Sequence, residues 1–300
     1  MKHNVLLWGL LEDETLRSVF KCLQAARAHI TFINHAAIRQ TRVQIDVSSR
    51  VQYRVHCESE FCQLDSVSAA YLRPYDAQYY ETPSAGSEVP GSSDPQFVHQ
   101  LINTWAEYSP ATIINRPSAE GTNHSKLYQA RLIADGGFRT PESLVTNDRD
   151  RVLDFLATHR RVIYKSMSSV RSIVRELSVT DLDGIELGPV LFQELIVGRQ
   201  VRVHVIAERC FACEIASEHI DYRYAPHSRT TCELPSAVAS RCVALSRGLG
   251  LHLSGLDLIE TNSGDWYCLE VNTNPGFSYY DTGEGEVAQA VAETLLGSGS

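Results

Sequence analysis

Apolar positions along this chain change period several times, and each change marks an element. Val5 to Trp8 is a short continuous apolar run of the kind a strand buried on both faces needs. Thr15 to Ala28 then carries apolar residues at helical spacing, and Ile30 to Ile33 predicts a second strand, so the chain opens as a βαβ unit of a parallel sheet. Glu81 to Pro95, rich in Ser, Gly and Pro, predicts an exposed loop. A helix follows over 96–108 and a strand over Thr112 to Asn115. A second group of elements begins with a helix over Asn123 to Asp135, stopped by Gly136-Gly137. It continues with a strand at Leu144 to Thr146, a helix from the cap Asp148 to about His159, and strands at Arg161–Lys165 and Leu191–Ile196. The last group holds the alternating run VRVHVIAERCFACEI, a helix from Pro235 to Arg247, and the strand pair GLDLIE and WYCLEVN.

This alternation of strands and helices over 300 residues predicts an α/β chain of two or three compact parts, without internal repeats. The formal charge of −9 argues against a nucleic-acid binder, which needs a basic surface. No GxGxxG follows the first strand, and no apolar window is long enough to span a bilayer. The amino terminus does not read as a signal peptide, and we expect a cytoplasmic protein with its eight cysteines reduced. Cys210 and Cys213 form a lone CxxC inside a β-patterned run, which favours two strand residues over a zinc site. His204, His219 and His227 show no pairing at metal-ligand spacing.

The densest chemistry lies in GLDLIETNSGDWYCLEVNTNP, Gly255 to Pro275. Ser263-Gly264 is a hairpin turn signal, and a hairpin centred there sets Asp257 opposite Glu270. Asn272 shares their face, while Leu256, Leu258, Leu269 and Val271 take the other. Opposed carboxylates repel, so this pair with a neighbouring amide oxygen reads as a hard-ligand site for Mg²⁺ or Mn²⁺ that leaves positions open to phosphate oxygens; acids facing water are the plainer alternative. Lysine is scarce, four among 27 basic residues. Lys165 ends the apolar strand RVIYK and Lys126 opens a predicted helix, where a compact ammonium can reach an anion; two chance survivors of an arginine bias is the alternative. Arg202 and His204 share the polar face of a strand, and Arg223 lies in the loop DYRY.

Together these pieces resemble the ATP-grasp superfamily, and within it the branch of glutamate-adding ligases and graspetide (microviridin-type) peptide macrocyclases. The resemblance runs from about Asn115 to Phe277 through NRPSAEGTNHSKLYQARLIADGGFRTPESLVT, VIYK, FQELIVG, VRVHVI and GLDLIE…WYCLEVNTNPG. It implies an N-terminal pre-ATP-grasp α/β domain over 1–115, a central subdomain with a lid over 116–196, and a C-terminal subdomain with the metal site over 197–300. The last two would clamp ATP. By resemblance Lys126 and Lys165 hold nucleotide phosphates, Gln193, Glu194, Leu195 and Ile196 form the hinge that reads adenine, and Gln200 takes the ribose position. Arg202 meets the terminal phosphate and acyl-phosphate, Arg223 contacts the substrate carboxylate or acyl-phosphate, and Asp257, Glu270 and Asn272 hold Mg²⁺ or Mn²⁺. Two positions depart from the pattern: Gln200 stands where an acid is common, and the loop after Lys165 reads SMSSVRS, with Arg171, where glycines are usual.

The implied activity is ATP-dependent ligation of a carboxylate substrate to an amine substrate through an acyl-phosphate, releasing ADP and phosphate. The partners would be an amino acid, a peptide or a small molecule, with no nucleic acid and no membrane, and with a homodimer left open. A macrocyclase crosslinking a ribosomal precursor peptide by amides or esters is the second reading. A silent nucleotide-binding module is the non-enzymatic one.

Overall fold

The computed structural model describes residues 4–47, 51–75, 94–165, 175–178, 182, 190–217, 227–281 and 285–298. The chain forms two compact units. One comprises the chain up to Glu120 with Leu249–Leu253 and the residues from Gly276; the other comprises Gly121–Gly248 and Ser254–Pro275. The expected loop at 81–95 lies outside the described residues apart from 94–95, as do Arg171 with its SMSSVRS loop and Arg223.

The first unit opens with β1 (Asn4–Gly9), α1 (Glu14–Ala25) and β2 (His29–Asn34), and β1 pairs parallel to β2 as the sequence predicts. Asp13 caps α1 by accepting the Thr15 N–H at 2.9 Å. An antiparallel meander then intervenes that the sequence reading did not anticipate: β3 (Arg42–Val47), β4 (Val51–Cys57) and β5 (Glu60–Gln63). After it come β6 (Ala69–Leu72), α2 (Pro95–Tyr108), β7 (Thr112–Ile114) and the single turn α3 (Pro117–Glu120). The main sheet has the order β2-β1-β6-β7 and all of its pairings are parallel. Val5 to Trp8 are wholly buried, which is why this strand is apolar throughout instead of alternating. Just past the carboxyl end of β2, buried His35 bonds His99 of α2, Nε2 to Nε2 at 2.7 Å, and its Nδ1 accepts the Tyr75 N–H at 3.0 Å. Trp8 lies edge-on to the His35 ring.

The second unit begins with α4 (Lys126–Asp135). The helix expected from Asn123 starts instead at Lys126, because Ser125 acts as N-cap and accepts the Tyr128 N–H. Residues 121–124 form a separate 3₁₀ turn. Next come β8 (Ser143–Thr146), α5 (Arg149–Thr158), β9 (Val162–Lys165), the short β10 (Arg175–Glu176) and β11 (Val190–Glu194), in an antiparallel sheet of order β10-β9-β11-β8. Val152, Val162 and Phe192 anchor its core. The second sheet contains β12 (Arg199–Ile206), β13 (Arg209–Ala216), β14 (Ser228–Cys232), β15 (Leu253–Glu260) and β16 (Trp266–Asn272), ordered β14-β13-β12-β15-β16, and α6 (Ser236–Gly248) packs against β12 and β13. Cys210 and Cys213 sit in β13, as strand residues. The last helix, α7 (Glu286–Leu295), was not anticipated; it belongs to the first unit, where it packs on α1. Among the described residues no helix is long and apolar enough to cross a membrane.

Candidate nucleotide and metal site

The hairpin of β15 and β16 places Asp257 opposite Glu270 and Gly255 opposite Asn272. That pairing was expected, but it arises differently. The tip is a five-residue loop, Thr261 to Asp265, closed by Thr261 N–H to the Asp265 carbonyl at 2.9 Å, with Gly264 at φ 83°. Glu260 therefore faces Trp266, one residue out of step with a turn centred on Ser263-Gly264. A β-bulge at Leu269 then restores the expected register, so that two deviations cancel. The bulge also corrects the assignment of faces. Leu256, Leu258 and Val271 are buried as expected, whereas Leu269 is only half-buried and sits beside half-buried Glu270. Without the extra residue Leu269 would face Asp257, and Glu270 would turn into the core. Beneath the pair, burial first and the Asp257 charge second push the Cys268 thiol far up, so it stays protonated.

Arg202 enters this cluster from β12. Only 5% exposed, it donates from Nη1 to Asp257 Oδ1 at 2.9 Å and from Nε to buried His204 Nε2 at 3.4 Å. Gly255 makes the approach possible, since a Cβ there would overlap the guanidinium. The expectation of an uncompensated acid pair in the metal-free protein is thus corrected: Arg202 already offsets the Asp257 charge. Glu260 lies on the opposite face, bonded to Arg199, which also holds Glu214.

The donor set suits a hard divalent cation: two opposed carboxylates and an amide oxygen. Asn272 Oδ1 accepts the Asn274 N–H at 3.0 Å, which aims the amide while an oxygen of this type has a second lone pair. Among the described residues no three His, Cys, Asp or Glu side chains are grouped to hold a metal ion, so a third protein ligand at this pair falls to the Asn272 amide.

The other implied residues fall in the same unit. Lys126 is the first residue of α4 and Lys165 the last of β9, where it faces Leu191; both are half-buried. Gln200 stands at the start of β12 and lines an open cleft with Gly198, Ile215 and Ser217. At the hinge, Gln193 is buried and donates to Ser143 Oγ at 2.9 Å. Glu194 Oε1 accepts the Glu142 N–H at 3.0 Å, and Oε2 lies 3.6 Å from His159 Nδ1. Both side chains therefore serve the scaffold. Leu195 N–H bonds the Arg161 carbonyl at 3.0 Å, so alternation turns the Ile196 N–H the other way, and among the described residues it meets no partner.

Gly255 and His204 were missed by sequence reasoning as site residues. The signal for Gly255 was present: an isolated glycine in a strand marks a close approach. His204 shares a strand face with Arg202, which spacing shows, but the contact depends on burial.

This arrangement, a parallel α/β sheet followed by two antiparallel sheets with a carboxylate hairpin, is the ATP-grasp fold, and the chain falls in that superfamily. It is similar to the ATP-grasp ligase PsnB complexed with a minimal precursor, at TM-score 0.78 and 25% identity over 99% of this chain and 100% of PsnB. The macrocyclase MdnC of Microcystis aeruginosa, bound with precursor peptide MdnA, matches at TM-score 0.80 and 18% identity over 98% and 99%. A RiPP-associated ATP-grasp ligase of Chryseobacterium gregarium, in complex with ADP and a leader and core peptide, matches at 0.81 and 18% over 98% and 97%. No protein-family model matches the sequence, and no curated protein sequence matches it significantly.

Proposed function

We propose that this chain is an ATP-dependent ligase that activates a carboxylate as an acyl-phosphate and passes it to an amine, with the carboxylate carried by a peptide. The observation that carries the reading is the buried Arg202 held between Asp257 and His204, beside the opposed pair Asp257–Glu270. Phosphoryl transfer depends on positioned charge more than on covalent chemistry by the protein. Arg202, anchored and almost without solvent, is suited to a terminal phosphate oxygen, and Lys126 and Lys165 to the phosphates behind it. Mg²⁺ or Mn²⁺ bound by Asp257, Glu270 and Asn272 would offset phosphate charge. The backbone at Glu194 to Ile196 would read adenine, Gln200 the ribose, and Arg223 the substrate carboxylate or the acyl-phosphate. In this division of labour residues 1–115 form the preceding domain, 116–196 carry the lid, and 197–300 carry the metal site.

The peptide substrate is favoured over a free amino acid because PsnB was solved with a minimal precursor, MdnC with a precursor peptide, and the Chryseobacterium ligase with a leader and core peptide. The test is Mg²⁺-dependent ATP turnover with ribosomal peptides encoded beside this chain's gene, followed by mass spectrometry. The expected products are ADP and inorganic phosphate, with loss of one water from the peptide per bond formed. AMP and pyrophosphate would overturn the acyl-phosphate route. Turnover with free amino acids alone would restore the small-molecule reading, and nucleotide binding without turnover on any acid would leave a silent module.

A further inference from the structure

Gln129 sits one turn after Lys126 on α4 and is 3% exposed. Its amide closes both main-chain bonds of Val271: Nε2 donates to the Val271 carbonyl at 2.7 Å, and Oε1 accepts the Val271 N–H at 2.9 Å. Among the described residues β16 is an outer strand of its sheet, with no strand beyond it to pair with at this residue. A primary amide offers the same donor and acceptor as a peptide unit, and here it replaces the missing strand. The location matters because Val271 lies between Glu270 and Asn272. With the Val271 side chain buried, strand alternation sends its two neighbours to the other face together. On the inner side the ladder is interrupted immediately before Glu270 by the Leu269 bulge, which leaves β16 less firmly held there.

We propose that Gln129 is a positioning residue for the metal site. It fixes the backbone of β16 at Val271, and so the aim of the Glu270 carboxylate and the Asn272 amide, and it ties both to the helix that begins with Lys126. This inference rests on the nucleotide-site reading above and deepens it. A bond that merely stabilised α4 would leave metal affinity alone; a bond that aims the ligands would change it at constant fold.

The experiment is a titration of free Mn²⁺ by electron paramagnetic resonance, in the presence of ADP, on the full chain and on Gln129→Met, Gln129→Asn and Ile133→Ala. Ile133 is buried on the same helix and makes neither of the Val271 main-chain bonds, so its variant lowers stability while leaving both bonds in place. Calorimetric binding of metal-free ADP is measured alongside, and circular dichroism confirms folding. Gln129→Met is expected to weaken Mn²⁺ at least tenfold while metal-free ADP binding stays within twofold. If that variant does not fold, Gln129→Asn, which keeps the amide but is too short for both bonds, carries the test with the same direction. Ile133→Ala is expected to keep wild-type Mn²⁺ affinity. Unchanged Mn²⁺ affinity in the Gln129 variants, or an equal loss in Ile133→Ala, overturns the positioning role. A wild-type chain that binds no Mn²⁺ with ADP overturns the nucleotide-site reading, and this inference with it.

Discussion

Arg202 joins the two sides of the candidate site, and its burial decides what the loss of its partner does. From the hairpin alone, replacing Asp257 by Asn would relieve repulsion against Glu270 and steady the metal-free fold. The ion pair at 2.9 Å reverses that sign, because the substitution leaves a guanidinium that is 5% exposed facing a neutral amide. Asp257→Asn is expected to abolish metal-dependent turnover and to lower stability by about 1–2 kcal/mol in urea unfolding without metal, since Asn still offers one acceptor. A variant more stable than wild type under those conditions would show that repulsion between the acids outweighs the Arg202 contact. What the sequence held at this scale was the identity of the acids and their opposition. The resemblance put Arg202 in the site but not its pairing with Asp257, since Arg202 comes from a strand some fifty residues away and no local pattern announces that contact.

Elements differ in how openly their sequence declares them. The β15–β16 hairpin was readable from Ser263-Gly264 and the flanking alternation, yet the bulge at Leu269 was not, because a bulge is an irregularity in pairing that one strand's sequence does not mark. The β3–β4–β5 meander was legible in RVQIDV and VQYRVHC, which alternate as a half-buried antiparallel strand should, and it was passed over. β6, only AAYL, is too short for periodicity to speak. The junction after β2 carries a pH prediction. Burial, helped by His99, depresses the His35 pKa from 6.5 to about 3. A depressed group contributes stability that is present above its unfolded pKa and lost as pH falls toward the folded one. The mechanism is plain: protonated His35 would place a proton where the Tyr75 N–H already points. Between pH 7 and 4 the wild type is expected to lose about 3 kcal/mol that a His35→Gln variant keeps, read from urea unfolding at each pH. Parallel curves for the two proteins would place the acid sensitivity elsewhere.

Over the whole molecule, the sequence carried the class of fold well because motifs in a fixed order constrain topology more than any single strand does. It carried the grouping into units less well, since Leu249–Leu253 and the segment from Gly276 are close to the first unit only in space. If nucleotide and metal bind as proposed, the protection they confer belongs to the second unit. At a hundredfold excess over the dissociation constant, a ligand bound only to the folded form adds about 2.7 kcal/mol. Hydrogen exchange with Mg²⁺ and ADP is expected to slow in β9, β11, β12, β15 and β16, and to change little in β1, β2 and β6. Slowing confined to the first unit would move the site there. The split membership of the units has a further consequence, for synthesis on the ribosome. The apolar face of α1, with Leu16, Val19 and Leu23 fully buried, packs against α7, which is made only after every segment of the second unit. The first unit therefore cannot close before the second has been made, and α1 must wait, with part of its cover missing, until residues 286–295 have left the exit tunnel.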